Sequence, residues 1–428
     1  MDILFEHAAI LTRNDQGWQV LPDAWLGIRG DRIAYLDNLP PQDEYAVRKN
    51  LVGHAILPGL FNLHSHTPMA LLRGLGSNLP LDRWLFEKIQ PVEYKMTAAD
   101  ESVGARISMM EMIAGGVVSF SDMYMAPAHY AEEVVQSGMR ANIATPTRAV
   151  VDGIRVSSVP DALAFFDRYH QAANGRICAD FALHAEYTST IPEVEQITEI
   201  CLERGAILQL HLSETIKEHT ACKQRHGKTP AKFFYDLGTF DNPTIAAHCV
   251  VVEPEDIEIL FEKRVTAVHN PSSNMKLGSG FMPLAQLRQR GVNLALGTDG
   301  SASNNNQNFF EEMHLAALIH CGYRNDPLAV MAEEVLTMAT LNGAIAQRRP
   351  DCGAIAVGNQ ADLAIIDLDK PHLMPNHDLI SLLVYSAQAS DVVMTIVAGE
   401  LLYDHGEFLT IDRDRVQADL KKSLARLF

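Results

Sequence analysis

The sequence predicts an α/β protein, a (β/α)8 barrel of the TIM type, with small β structure at both ends of the chain. Three observations carry this reading. Across the central stretch, short apolar runs alternate with helical patterns, which is the signature of βα units. The chemically useful side chains of that stretch fall at the ends of the apolar runs, where parallel barrels and sheets gather their active sites. Outside it, the runs are β-rich and separated by turn residues.

Residues 1 to 54 contain strand-like runs such as Trp25-Leu-Gly-Ile-Arg and Arg32-Ile-Ala-Tyr-Leu. One complete βα unit follows further on. Thr97-Ala-Ala-Asp100 offers a helix cap, Val103, Ile107, Met110 and Ala114 recur at helical spacing, Gly115-Gly116 ends the helix, and Val117 to Asp122 reads as a strand. The central stretch, placed at 55–365, suits an eight-fold barrel, whose usual size is about 250 residues with larger examples common. From 366 to 428 the chain again reads as β, with Val392-Val-Met-Thr-Ile-Val preceding Ala398-Gly-Glu400, a hairpin turn. No internal repeat or low-complexity tract interrupts this plan.

The most informative segment is Leu57-Pro-Gly-Leu-Phe-Asn-Leu-His-Ser-His66. In a strand, residues two apart point to the same side, so the imidazoles of His64 and His66 converge, as metal ligands do. In a chain with 17 histidines such a pair also arises by accident. The shape recurs, however. Ala206 to His211 is a buried-strand pattern followed by Glu214, Thr244 to His248 repeats it, and Val292 to Asp299 ends in an aspartate before a polar stretch. Singly, a strand-end histidine reads as a hydrogen-bonded structural residue and Thr-Asp-Gly as a common turn. Together they outline a coordination sphere.

Composition narrows the function classes. The chain has 428 residues and 47% hydrophobic content, enough for one large domain and a small one. Lys plus Arg number 35 against 53 Asp plus Glu, a net charge of −18, so nucleic acid and anionic membranes are poor partners. The N-terminus carries acids where a signal peptide needs basic residues, and no apolar run approaches ~18 residues; a cytoplasmic location is expected. The 6 cysteines are scattered without a Cys-x-x-Cys pair, which argues against a disulfide framework, a zinc ribbon and the His-x-Glu, Pro-Cys-x-x-Cys class of zinc deaminase.

Pro58-Gly59, His64-x-His66, His211-x-x-Glu214, His248 and Gly297-Thr-Asp299-Gly together resemble the amidohydrolase superfamily over nearly the whole chain. Thr67-Pro-Met-Ala-Leu-Leu-Arg-Gly74, Trp84-Leu85, His248-Cys-Val250, His269-Asn-Pro-Ser-Ser-Asn-Met-Lys-Leu277 and Thr298-Asp-Gly-Ser-Ala-Ser-Asn-Asn305 are similar to its methylthioadenosine and S-adenosylhomocysteine deaminases, in the branch that also holds the chlorotriazine hydrolases. The resemblance implies that the two terminal segments join into one β-sandwich beside the barrel. It also implies a divalent metal held by His64, His66, His211 and Asp299, with zinc expected first and iron or manganese as alternatives. Many relatives hold two metals through a carboxylated lysine on the fourth barrel strand; the matching stretch here, Cys178 to His184, has no lysine, so one ion per chain is expected.

In that reading water, acidified by the metal, attacks an aminated heteroaromatic carbon. Glu214 carries a proton to the adjacent ring nitrogen, Asp299 delivers one to the departing amine, and His248 hydrogen-bonds the oxyanion. Glu93 matches the position that holds the ribose hydroxyls; read without the family, it is equally a solvated acid on a loop. His184 matches a substrate-contacting histidine, and Trp84 packs the pocket wall. Arg148 and Arg155 lie where relatives hold a homocysteine carboxylate, although their spacing is out of register. Glu186 stands where the family has proline and is expected to add negative charge near the pocket. The expected product is an inosine-type nucleoside and ammonia, from a small-molecule substrate and an enzyme that works as a homo-oligomer. Two other readings stand beside it: a deaminase or dechlorinase of guanine, an oxidised purine, a pterin or a triazine, and a catalytically inactive scaffold.

Overall fold

The computed structural model describes residues 1–14, 16–147 and 157–428. Eight parallel strands follow one another in chain order: β1 (Leu60–Ser65), β2 (Val117–Met123), β3 (Arg140–Thr147), β4 (Ile177–Leu183), β5 (Leu208–Leu212), β6 (Thr244–His248), β7 (Thr266–His269) and β8 (Asn293–Leu296). Beyond β8, Asp299 N donates to His64 O at 2.9 Å and Thr298 N donates to the Asn62 Oδ1 at 3.0 Å, which brings the last strand back onto the first. Nearly every strand residue is buried, as expected where helices cover one face of a parallel sheet and barrel side chains fill the other.

The terminal segments join in one nine-stranded mixed sheet. It takes Asp2–Asn14, Gly17–Arg29, Arg32–Asp37, Val47–Asn50 and His54–Pro58 from the N-terminal side, and Leu363–Asp367, Val392–Val397, Glu400–Asp404 and Glu407–Phe408 from the C-terminal side. Phe5, Ile10, Leu26, Ile56, Ile365 and Ile396 share its apolar core, separate from that of the barrel. The sheet folds over this core. Gly399, in the expected hairpin turn, has φ +68, and a Cβ there would lie 2.1 Å from the carbonyl oxygen of Gly30, a residue several strands away. Only glycine suits both the left-handed backbone and that approach.

The unit read from Thr97 onward forms as a helix at Ala98–Ala114, with Thr97 N and Oγ1 both donating to Asp100 Oδ2. Its burial departs from the single stripe of Val103, Ile107, Met110 and Ala114. Met109, Met112 and Ile113 face the main core, while Val103 and Ile107 pack with Leu71 and Leu427. The reason is a second partner on the outer side, the helix Arg413–Leu427, which replaces the uniformly β C-terminus read from the sequence. No helix among the described residues is long and apolar enough to cross a membrane.

Candidate active site

The C-terminal ends of β1, β5, β6 and β8 bring His64, His66, His211, His248 and Asp299 to one point. His66 Nε2 is 3.2 Å and His64 Nε2 3.5 Å from Asp299 Oδ1, and His211 Nε2 is 3.3 Å from His66 Nε2. Tetrahedral ligands at ~2.1 Å from a zinc ion would stand roughly 3.4 Å apart, so the donors are already spaced for one ion. His64 Nε2 is buried with no hydrogen-bond partner, a polar atom that a metal would satisfy. Burial pushes the His64 imidazole down to about 4, and burial with the surrounding imidazoles holds His211 well below its ordinary value, so both present neutral nitrogens. Burial opposes the charge of Asp299, but the adjacent His64 and His66 imidazoles outweigh it and keep the carboxyl well below its usual range.

Neighbouring groups fix the orientation of each donor. His66 Nδ1 donates to Met123 O at 2.6 Å and His211 Nδ1 to His184 O at 2.7 Å. Asp299 Oδ2 accepts from Ser273 Oγ and Ser303 Oγ at 2.6 and 2.9 Å. His248 Nδ1 lies 2.8 Å from Asn274 Oδ1, with Asn270 Nδ2 at 3.3 Å. Backbone strain concentrates here too: Ser213, His248, Cys249 and Asp299 all have positive φ, between 45° and 75°, a conformation that costs non-glycine residues of order 1–3 kcal/mol and clusters at functional sites.

Glu214 is buried at the cleft, with Ser279 Oγ 3.4 Å from Oε1 and His248 Nε2 3.9 Å from Oε2. Burial raises its carboxyl above the ordinary value, with the neighbouring His248 pulling the other way. The same cleft is lined by Trp84, Glu93, Tyr124, His184 and Tyr187. Glu93 is no solvated loop acid. It lies in the helical turn Gln90–Glu93, is 7% exposed, and accepts from Tyr124 Oη at 2.9 Å. Trp84 begins a π-helical stretch, Trp84–Ile89, and forms wall.

One expectation about substrate charge changes. Glu186 does not load the cleft with negative potential: it is buried and paired with Arg225 and His226, whose cations and donors absorb its charge. Arg148 and Arg155 lie outside the described residues. Fourth-strand chemistry is also plain, since β4 carries no lysine and its one acid, Asp180, is bonded by Asn142 and Gln209.

Several residues of the site carried no role in the sequence reading. Asp122, at the end of β2, accepts from Ser65 Oγ (2.9 Å), Thr67 N (2.8 Å), Thr67 Oγ1 (2.8 Å) and Tyr130 Oη (2.6 Å), pinning the turn that holds His66. Its position at a strand's C-terminal end was the available signal. Asn270 and Asn274 stand in the His269-Asn-Pro-Ser-Ser-Asn run, where only the wording marked them.

The amidohydrolase family model matches residues 55–402. A 5-methylthioadenosine/S-adenosylhomocysteine deaminase of Thermoanaerobacter pseudethanolicus is 40% identical over 432 residues, which span 100% of this chain and 99% of that protein. The crystal structure of an adenosine deaminase from Xanthomonas campestris with bound zinc superposes with a TM-score of 0.94 at 31% identity, covering 100% of this chain and 98% of the other. An atrazine chlorohydrolase of Arthrobacter aurescens TC1 complexed with zinc reaches a TM-score of 0.92 over 100% of both chains, but at 23% identity it speaks to the fold alone. With strand-end histidines and an aspartate on a parallel barrel, a family model spanning most of the sequence and a full-length relative at 40% identity, this chain belongs to the amidohydrolase family.

Proposed function

We propose that this chain is a metal-dependent hydrolytic deaminase of adenosine-type nucleosides, converting the 6-amino group to a carbonyl and releasing ammonia. The observation that carries the reading is one cleft in which a buried acid, Glu214, shares the lining with His66, His211, His248 and Asp299, and with a second buried acid, Glu93. His64, His66, His211 and Asp299 would hold the ion, with zinc first among the candidates. When bound, it supplies the Lewis acidity that brings water to a pKa of about 7.

The chain's own residues do the rest. Attack at an aminated ring carbon destroys aromaticity, so the adjacent ring nitrogen must gain a proton. Glu214 carries it, its raised carboxyl suiting a group that both takes and gives protons near neutral pH. His248, set by Asn270 and Asn274, hydrogen-bonds the attacking oxygen and steadies the charge that grows there. Asp299 takes the second proton and gives it to the leaving amine. Glu93, steadied by Tyr124, accepts from the ribose diol, and His184 borders the heterocycle.

The reading includes a preference for a small, uncharged 5′ group over a homocysteine tail; with Glu186 neutralised, it rests on the apolar wall of Met69, Leu85, Met125 and Leu277. The test is ammonia release from 5′-methylthioadenosine, adenosine, S-adenosylhomocysteine, guanine, a pterin and a chlorotriazine. The highest kcat/KM is expected for 5′-methylthioadenosine, with an inosine-type product. Faster turnover of a free base, a pterin or the triazine would transfer the assignment to that substrate class.

A further inference from the structure

Glu214 stands on a turn that the backbone resists. Ser213, just before it, has φ +48, and its carbonyl is taken by Val250 N at 3.1 Å and Val251 N at 2.9 Å. That leaves the two consecutive N–H groups of Ser213 and Glu214 buried and in need of acceptors. Both are met by one side chain: Glu218 accepts from Ser213 N at 3.1 Å on Oε1 and from Glu214 N at 2.7 Å on Oε2.

Glu218 belongs to the first turn of the helix Ile216–His226, whose cap is Thr215, and Thr215 Oγ1 accepts from Glu218 N at 3.1 Å. Thr215-Ile-Lys-Glu218 has the spacing of a capping box, in which the fourth residue's side chain returns to the cap's own N–H. Here it reaches one and two residues further back, past the cap, to the N–H groups of Glu214 and Ser213. The choice of a carboxylate is costly. Glu218 is 8% exposed and lies beside a second buried acid, and burial together with the Glu214 charge pushes its carboxyl up to about 7. A neutral hydroxyl or amide offers one acceptor oxygen without that repulsion; the carboxylate gives each of the two successive N–H groups an oxygen of its own.

We infer that Glu218 is a positioning residue for the reaction, fixing the Ser213–Glu214 backbone so that the Glu214 carboxylate stays aimed at the reacting atoms. The inference rests on the proton-carrying role proposed for Glu214, and the test separates the two. Glu218→Gln keeps the volume but turns a donor toward one of the two N–H groups. It is expected to lower kcat by about 10- to 100-fold, the scale of a 1 Å misplacement in an active site, with KM within about 3-fold and metal content unchanged. The deciding measurement is Glu218→Gln made in the Glu214→Gln background. If Glu218 acts through Glu214, the second substitution costs nothing further there. A full multiplicative loss in the double variant, or loss of metal in Glu218→Gln, overturns the positioning role while leaving the Glu214 reading intact. Near-wild-type kcat in Glu214→Gln alone overturns both. Should Glu218→Gln fail to fold, Glu218→Asp, which keeps the charge but shortens the reach, is measured through the same cycle with the same expectations.

Discussion

Two residues three apart in sequence, His211 and Glu214, are given opposite jobs, and substitution separates them. Glu214→Gln keeps the ligand cluster and is expected to retain its metal while losing at least ~10²-fold in kcat, the lower end for removing a general acid-base group; His211→Ala is expected to lose metal and activity together. Metal content measured beside kcat on both variants checks this, and a metal-free Glu214→Gln would contradict it. Glu93→Ala tests substrate contact at the same scale. Losing a charged hydrogen-bond partner costs ~1.5–3 kcal/mol, or about 10- to 150-fold in kcat/KM, so ribosides should suffer and any turnover of free bases should hold. The imidazoles were legible in sequence because strand-end position and period two leave a pattern in apolar runs. Glu186 was misjudged because its partners, Arg225 and His226, lie about forty residues away, and sequence spacing says nothing about which charges meet.

At the scale of elements, the β1–β2 junction governs the site. Asp122 gathers four donors from β1, the turn after it and Tyr130, so its carboxylate pins the turn that carries His66. Asp122→Ala leaves Thr67 N, Thr67 Oγ1 and Tyr130 Oη buried without that acceptor, at ~1–3 kcal/mol for each that finds no substitute, while Ser65 Oγ keeps Ser121 O. A fall in stability of at least about 3 kcal/mol is expected, with weaker metal retention, read by thermal melts and metal analysis. An unchanged melting temperature with full metal content would show that the turn holds itself. The helix Ala98–Ala114 marks where element-level reading stops: its cap and stop were written in Thr97, Asp100 and Gly115, but a helix covered on two sides has no single stripe to read. Residues 413–428 do carry a helical period in Val416, Leu420 and Leu427 behind the Asp412 cap, but such a period does not say which element its apolar face covers.

Across the whole molecule, a barrel strand and the helices around the barrel hold buried acids whose neutral form is favoured by folding. Burial pushes Asp180 and Glu218 up to about 7 and Glu312 up to about 8, against ordinary values near 4. A raised acid keeps its proton in the folded chain after the unfolded chain has released it. Between about pH 5 and 8 the unfolded state therefore binds fewer protons, and these groups' contribution to stability falls as pH rises. Glu312, which accepts from Ser272 N and Asn304 Nδ2, is the clearest case. Glu312→Gln should flatten the stability–pH slope relative to the parent by up to about one proton over that window; denaturant unfolding at several pH values measures it, and parallel profiles would refute the assignment. The metal centre is the feature on which the functional account turns. Stripped of metal and titrated back with zinc, the protein should regain ammonia release from 5′-methylthioadenosine in proportion to zinc bound, reaching full activity at one ion per chain; activity that persists without metal, or that saturates only at two ions per chain, would contradict a single centre built from His64, His66, His211 and Asp299.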